Sequence, residues 1–426
     1  MTLAGEIHVK SGRNGNTIEA ESDFTGTVSL SADNDFEGDT EVDSVLNVGS
    51  ATALSAQSKL KVNNGGTVKL NGFESTVAGL EGNGTIQGSA ALTAGDENDA
   101  TFSGILQDGT GALAFTKQGS GTQTLSGANT YSGATTLNAG TLVLGNASAA
   151  GTGTISQTDG TSLLRLNTTG TVTNAMSLYN VESLQDVTLS GNITAFNTTY
   201  DIATGTTTTL SGDISGSGGV TKEGLGTLVL EGTNTYTGTT DINAGTLLIN
   251  ASNAGAIGDV NINSGGTLGG TGSIGGATTL DSGGFLSPGD GGTGDTLSFL
   301  SSLDIQNASA GSLLFDLGAA GTGDTVNVTG QLSSGDGLLD LDSFAFTDLG
   351  VTSVTGTYTW KLFEVGSFNF TTLGSNTTST PFASIKSASL AISGDFIQLT
   401  MTVPEPSSTA LLGLGGLMLA LRRKRS

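Results

Sequence analysis

Apolar residues along this chain come in short bursts that alternate with Thr, Ser and Asn, and glycine or asparagine closes nearly every burst. Thr227–Leu230, Thr239–Ile242 and Thr246–Ile249 read as strands of four or five residues, joined by turns at Gly232–Asn234 and Asn243–Gly245. A period of two suits pleated backbone with one buried face. Thr, Val and Ile favour that backbone, while Gly and Asn admit the positive φ that tight turns need. No stretch before Val403 combines helix-forming residues with a 3.6-residue period. The body is therefore expected to be all-β. From about Leu303 the strands lengthen, with Ser312–Leu317, Thr325–Val328, Gly337–Leu341, Thr357–Val365 and Phe396–Val403 alternating. Phe344, Phe346, Tyr358, Trp360, Phe363, Phe368 and Phe370 gather in the same region.

The turn-and-strand pattern repeats. Residues 117–144 align without gaps to residues 222–249, and 16 of the 28 positions are identical. Lys117/Lys222, Asn129/Asn234, Tyr131/Tyr236, Gly133/Gly238 and an Asn-Ala-Gly-Thr-Leu run are shared. A degenerate copy at Gly26–Val42 matches Gly121–Leu137 at seven of 17 positions, with Phe36 in place of the tyrosine. One such unit cannot bury its own apolar face, so successive units must stack. This predicts a parallel β-helix over residues 1–300. The shared Asn and Tyr are then structural, and stacked Asn and Thr can form ladders. Residues 301–402 are expected to form a β cap or a small sandwich that covers the last coil's open edge. Trp360 there suits either a core position or a sugar-binding platform.

Composition narrows the function. Glycine contributes 68 of 426 residues, cysteine none and proline four. Without cysteine there is no disulfide, thiolate metal site or cysteine nucleophile. Formal net charge is −24, and residues 1–403 alone hold 10 basic against 37 acidic side chains. Such a surface repels phosphate backbones, which excludes nucleic acid as a partner, and favours cations or basic partners. Met1–Lys10 lacks the basic and apolar regions of a secretory signal.

The shared residues, KxGxGTLxLxGxNTYxGxTxxNAGTL, resemble the autotransporter-associated β-strand repeat. Lead-in segments at Val62–Gly88 and Phe102–Phe115 and a run-out at Gly265–Pro288 are also similar to that family. The resemblance implies a right-handed parallel β-helix in a secreted or surface protein. The chain departs from true autotransporters at its end, which is Arg-Arg-Lys-Arg-Ser rather than a membrane β-barrel closing on an aromatic residue.

Residues 403–426 are a separate object. Pro404, Glu405 and Pro406 precede the uncharged run Ser407–Leu421, and Arg422, Arg423, Lys424 and Arg425 follow it. As a helix, residues 407–421 would be about 22 Å long, against a hydrocarbon core of ~30 Å that thinning and snorkelling can reconcile. The basic cluster would stay cytoplasmic and place the body across the membrane. The two prolines keep the preceding segment extended. This arrangement resembles the PEP-CTERM sorting signal. The resemblance implies recognition of Pro404-Glu405-Pro406 by an exosortase, a transient inner-membrane helix, stop-transfer by Arg422–Arg425, and delivery to the cell envelope or extracellular polysaccharide.

Candidate chemistry is sparse. His8 is the sole histidine, which leaves no triad and no multi-histidine zinc site. Asp33, Asp35, Glu37, Asp39, Glu41 and Asp43 fall on one strand face, with Phe36, Thr40 and Val42 opposite. Asp33, Asp35, Glu37 and Asp39 are weak calcium candidates, since the loop position for a bidentate glutamate holds Ser44. Asp96, Glu97 and Asp99 suit a loop, and the GGTGD of residues 291–295 is one residue short of a calcium-binding repeat. Between Arg13 and the tail, Arg165 is the sole arginine, which argues against a lyase or hydrolase. No catalytic residue or cofactor is expected. The first reading is a structural or adhesive surface protein. The alternatives are a polysaccharide-active enzyme and a calcium-dependent carbohydrate binder. Coplanar aspartates beside a basic residue would favour the enzyme, and unbroken Thr/Asn/Ser ladders the first reading.

Overall fold

The structure is a computed structural model that describes residues 7–12, 15–20, 27–30, 34, 38–335, 338–351, 355–374, 378–379 and 385–404. It is all-β: among the described residues the regular elements are β-strands and short 3-10 turns. The chain divides into two compact units, Met1–Leu247 with Ala251–Gly258, and Leu248–Asn250 with Asp259–Ser426.

In the first unit short strands stack in parallel on three faces of a coil, as the need to bury isolated apolar faces requires. The first face runs through Ser75–Val77, Ala91–Ala94, Ala114–Lys117, Thr135–Leu137 and Ile155–Gln157. It continues through the first halves of Met176–Ser183 and Ile193–Ile202 to Ile214–Ser215. The second face carries Lys59–Val62, Gly79–Gly82, Thr122–Leu125, Thr141–Leu144 and Leu163–Leu166, then Val220–Glu223 and Thr240–Ile242. The third holds Thr67–Lys69, Thr85–Gly88 and Ile105–Asp108, and later Val187–Leu189, Thr207–Leu210 and Thr227–Leu230. Successive rungs of the first face lie 17 to 23 residues apart. Alternation sends Leu80, Phe102, Leu125, Leu144, Leu166 and Ile202 fully inward, which builds the core as one apolar row per strand.

The two full copies do not occupy the same faces. Lys117 lies on the first face, and its row climbs through Leu137, Gln157, Leu178 and Ala195 before reaching Gly216 five coils on. Lys222 comes six residues later, on the second face, paired with Tyr200. The 105-residue offset is thus five coils plus one face. The repeat fits any face because each presents the same inward apolar row and the same turns.

In the second unit parallel stacking continues past residue 300. Phe285–Pro288, Leu313–Leu317 and Phe344–Asp348 form one parallel row, and Thr296–Phe299, Thr325–Ser333 and Gly356–Phe368 another. Antiparallel pairing, the kind that would terminate a stack, begins with Gly356–Phe368 against Phe396–Val403, which also pairs Ser387–Ser393. The strand expected at Gly337–Leu341 is absent over its described part. Leu341–Ser343 is a 3-10 turn instead, because the Asp340 side chain accepts the Asp342 N–H and satisfies that backbone locally. Trp360 is fully buried, and its Nε1 donates to the carbonyls of Thr322 (2.8 Å) and Gly318 (3.2 Å). It is therefore a core residue, not a platform.

Candidate functional site

The shared Lys, Asn and Tyr at 117/222, 129/234 and 131/236 turn inward, and the Lys and Asn side chains there satisfy backbone groups of neighbouring turns and coils. Lys117 and Lys222 are completely buried. Lys117 Nζ donates to the carbonyls of Gln118 (2.6 Å), Gly119 (2.9 Å) and Ala139 (3.3 Å). Lys222 Nζ repeats this with Glu223 (2.7 Å), Gly224 (2.8 Å) and Ala244 (3.2 Å). Each ammonium thus spends its three donors on two turns in successive coils. Burial pushes both lysines down to about 8, against the opposing pull of Asp96 and Asp99 at the first and of Asp201 and Glu223 at the second.

Asn129 and Asn234 stand where a strand is missing. Asn129 Oδ1 accepts the Leu106 N–H of the coil below (2.8 Å), and its amide donates to Ala149 O above (2.6 Å). Asn234 accepts from Ile214 N–H (2.8 Å) and donates to the side chain of Asn253 (2.5 Å). The side chain stands in for the peptide group of the absent rung. In place of the Asn ladder anticipated from stacking, Asn129 bridges backbone on both sides, and Asn234 meets one other asparagine, Asn253.

Tyr131 and Tyr236 are buried, and their hydroxyls pair with Thr135 (2.5 Å) and Thr240 (2.7 Å). Burial raises the Tyr236 phenol to about 12, with the Thr240 hydrogen bond opposing. Tyr200 is equally buried, yet among the described residues its hydroxyl meets no hydrogen-bond partner. Tyr200→Phe is therefore expected to raise unfolding free energy by about 1 kcal/mol, and Tyr236→Phe to lower it by a similar amount. Urea melts of the two variants, read against the parent, check the opposite signs.

Outward positions are hydroxyl-rich on the first face. Thr76, Thr93, Thr116, Thr136, Ser156, Ser177, Thr194 and Ser215 stack in register over eight consecutive coils, and all but the exposed Ser215 are half-buried. The second face instead carries charge, with Lys61–Glu41 (2.7 Å), Lys59–Glu81 (2.8 Å) and Arg165–Glu182 (2.5 Å) paired. These pairs are partly exposed and each contributes little stability.

Of the acidic run, Asp33, Asp35 and Glu37 lie outside the described residues. Asp39 is exposed, Glu41 is held by Lys61, and Asp43 accepts from Asn63 (2.8 Å), while Thr40 and Val42 point inward. Among the described residues no group of three His, Cys, Asp or Glu side chains could hold a metal ion. Asp96 and Asp99 occupy a loop, where Asp99 accepts the Thr122 N–H (2.8 Å), a bond that lowers its pKa. His8 lies on the strand Ile7–Gly12. Pro404 is exposed, and Glu405, Pro406, the expected helix 407–421 and Arg422–Arg425 lie outside the described residues. Among the described residues no helix is long and apolar enough to cross a membrane.

Sequence reading missed Asp324. It is buried in the second unit, accepting the N–H groups of Asp295 (3.2 Å) and Asp316 (3.3 Å). Burial pushes its pKa up to about 6, and the neighbouring Asp316 and Asp295 charges add to the rise. A carboxyl whose pKa is raised by folding keeps its proton in the native state after the unfolded chain has lost it. Stability is then gained as pH falls from about 7 toward 4, by about 2 kcal/mol. Urea midpoints should rise over that window, and Asp324→Asn should flatten the rise.

Comparison with known proteins bears on the same two regions. Residues 115–144 and 220–249 match the passenger-associated-transport-repeat, and residues 402–425 match the PEP-CTERM protein-sorting motif. The chain carries passenger repeats and a sorting motif. Over 75 residues it is 48% identical to the Adhesin BmaC autotransporter of Brucella suis biovar 1 (strain 1330). That stretch covers 18% of this chain and 2% of the adhesin. The matched passenger repeats are the segments whose Lys, Asn and Tyr brace the coil, so their recurrence has a structural cause.

Proposed function

We propose that this chain is a structural or adhesive β-helix protein displayed on the bacterial surface or released into its matrix, and sorted there through its C-terminal motif. The column of eight stacked hydroxyls carries the reading: a flat, uncharged, repetitive face is suited to extended contact rather than to turnover. The passenger repeats and the partial similarity to an adhesin support it. An exosortase-type enzyme would recognise Pro404, Glu405 and Pro406. The apolar run 407–421 would hold the precursor in the inner membrane until then, and Arg422, Arg423, Lys424 and Arg425 would stop its transfer. Extracellular polysaccharide and cations are the partners that an acidic, hydroxyl-rich surface favours.

Mass spectrometry of the mature C-terminus from the native cell tests the sorting step. Peptides that end upstream of Ser407, on protein recovered from the envelope or medium, are expected. An intact Ser426 on cytoplasmic protein would remove the proposal. A catalytic reading is weaker. Where Arg165, Glu182 and Asp201 come together, Glu182 is already engaged by the guanidinium.

A further inference from the structure

Between the two passenger repeats the coil breaks its own pattern at one corner. Elsewhere in the first unit the first and second faces are separate strands, but Met176–Ser183 and Ile193–Ile202 run continuously from one to the other. Leu178 pairs with Ala195 and Asn180 with Thr199, so Tyr179 faces the three residues Phe196, Asn197 and Thr198. This bulge is held from both sides. Buried Gln157 accepts the N–H groups of Tyr179 (2.8 Å) and Asn180 (3.1 Å), and its amide donates to the carbonyls of Ser162 (2.8 Å) and Asn180 (3.1 Å). Asn197 adopts a φ of +62°, and its Oδ1 accepts the Gly219 N–H (2.9 Å).

The bulge places aromatic rings at the surface. Tyr179 and Phe196 stack with centroids 5.1 Å apart and planes inclined by 15°, and Phe196 is 39% exposed. The next coil presents only Gly216, Ser217 and Gly218 alongside. Further along the same two strands, Asn180, Glu182, Thr199 and Asp201 line a shallow groove of about 360 Å³, to which neither ring contributes a wall. Arg165 holds Glu182 at its edge.

We propose that this corner binds a neutral glycan chain. A pyranose presents an apolar face of C–H groups and a rim of hydroxyls. Phe196, backed by Tyr179 and exposed on its outer side, supplies an apolar surface for the first, and the Asn180 amide, the Thr199 hydroxyl and the carboxylates of Glu182 and Asp201 supply partners for the second. The carboxylates, on a chain of net charge −24, repel uronate or sulfated polymers. The inference rests on the surface reading above and deepens it by naming a ligand class and its site.

Calorimetric titration of the full chain with cellohexaose, laminarihexaose and mannohexaose, with alginate as the polyanionic probe, tests the site. At least one neutral hexaose is expected to bind and alginate is not. Phe196→Ala should weaken that binding tenfold or more, Phe196→Tyr should retain it, and Phe73→Ala, at another exposed ring, should leave it unchanged. Binding of no neutral hexaose, or binding that Phe196→Ala leaves intact or Phe73→Ala abolishes equally, overturns the proposal. Immunodetection of the chain on cells judges the surface reading separately, since display does not require the groove.

Discussion

Replacing Lys222 by methionine is expected to lower unfolding free energy by about 3–5 kcal/mol, although the apolar stem of the side chain is nearly preserved. The ammonium is the donor to three carbonyls, at Glu223, Gly224 and Ala244, and a thioether cannot donate. Those half-buried carbonyls would each lose a charged donor. Lys117→Met should cost a similar amount for the same reason, and the two losses should add, because the sites lie five coils apart and solenoid coils couple mainly to their neighbours. The pH dependence separates this role from simple packing. Burial pushes each lysine down to about 8, so the folded chain releases these protons before the unfolded chain does. Stability should therefore rise as pH climbs from about 8 to 10.5, and the double substitution should remove that rise. Urea melts at pH 7, 9 and 10 on parent and variants give both readings.

Gly245→Ala is the second change expected to have a large effect. Gly245 has a φ of +64°, and a Cβ there would lie 2.5 Å from the carbonyl oxygens of both Gly224 and Gly226 in the coil below. Backbone conformation alone costs about 1–2 kcal/mol. The clash falls on main-chain atoms that cannot move without opening the stack, so the total should exceed 3 kcal/mol. Gly65 separates the two contributions. Its φ is +87°, but nothing lies within 4 Å of a Cβ built on it, so Gly65→Ala should cost only the conformational part. Melting temperatures of the two variants, measured side by side, test the comparison.

Much of this architecture could be read from the chain itself, and the exceptions have physical causes. Alternation located Thr227–Leu230 and Phe396–Val403 to the residue, because one-sided burial leaves a period-two trace. The copies around residues 130 and 235 were plain from identity. Their placement on different faces was not, since it depends on coils whose lengths vary between 17 and 23 residues. Lys117 and Lys222 were visible as repeat positions, but lysine is so seldom buried that sequence gave no reason to place them inside. Recurrence of Lys just before Gly-x-Gly, where carbonyls crowd a turn, was the available signal. Trp360 drew attention as the lone tryptophan and proved to be core, whereas Tyr179 and Phe196 passed unnoticed. Both occupy outward positions of alternating strands, Met-Ser-Leu-Tyr and Ile-Thr-Ala-Phe, so the same period-two reading, carried one step further, points to them. Asp324 left no trace, because its burial follows from contacts with Asp295 and Asp316 that no local pattern encodes.

The central claim is that sequence copies far apart in the chain are coils of one stack, and spin-label distances measure this directly in a chain without cysteine. Labels introduced as cysteines at Thr116 with Ser177, Thr194 or Ser215, and at Thr76 with Ser215, span three, four, five and seven coils of the first face. At roughly 4.8 Å per rung the backbone separations should be about 14, 19, 24 and 34 Å, rising linearly with coil number. Distances that fail to grow with coil number, or that scatter broadly for the 99-residue separation between Thr116 and Ser215, would contradict the stacked coil.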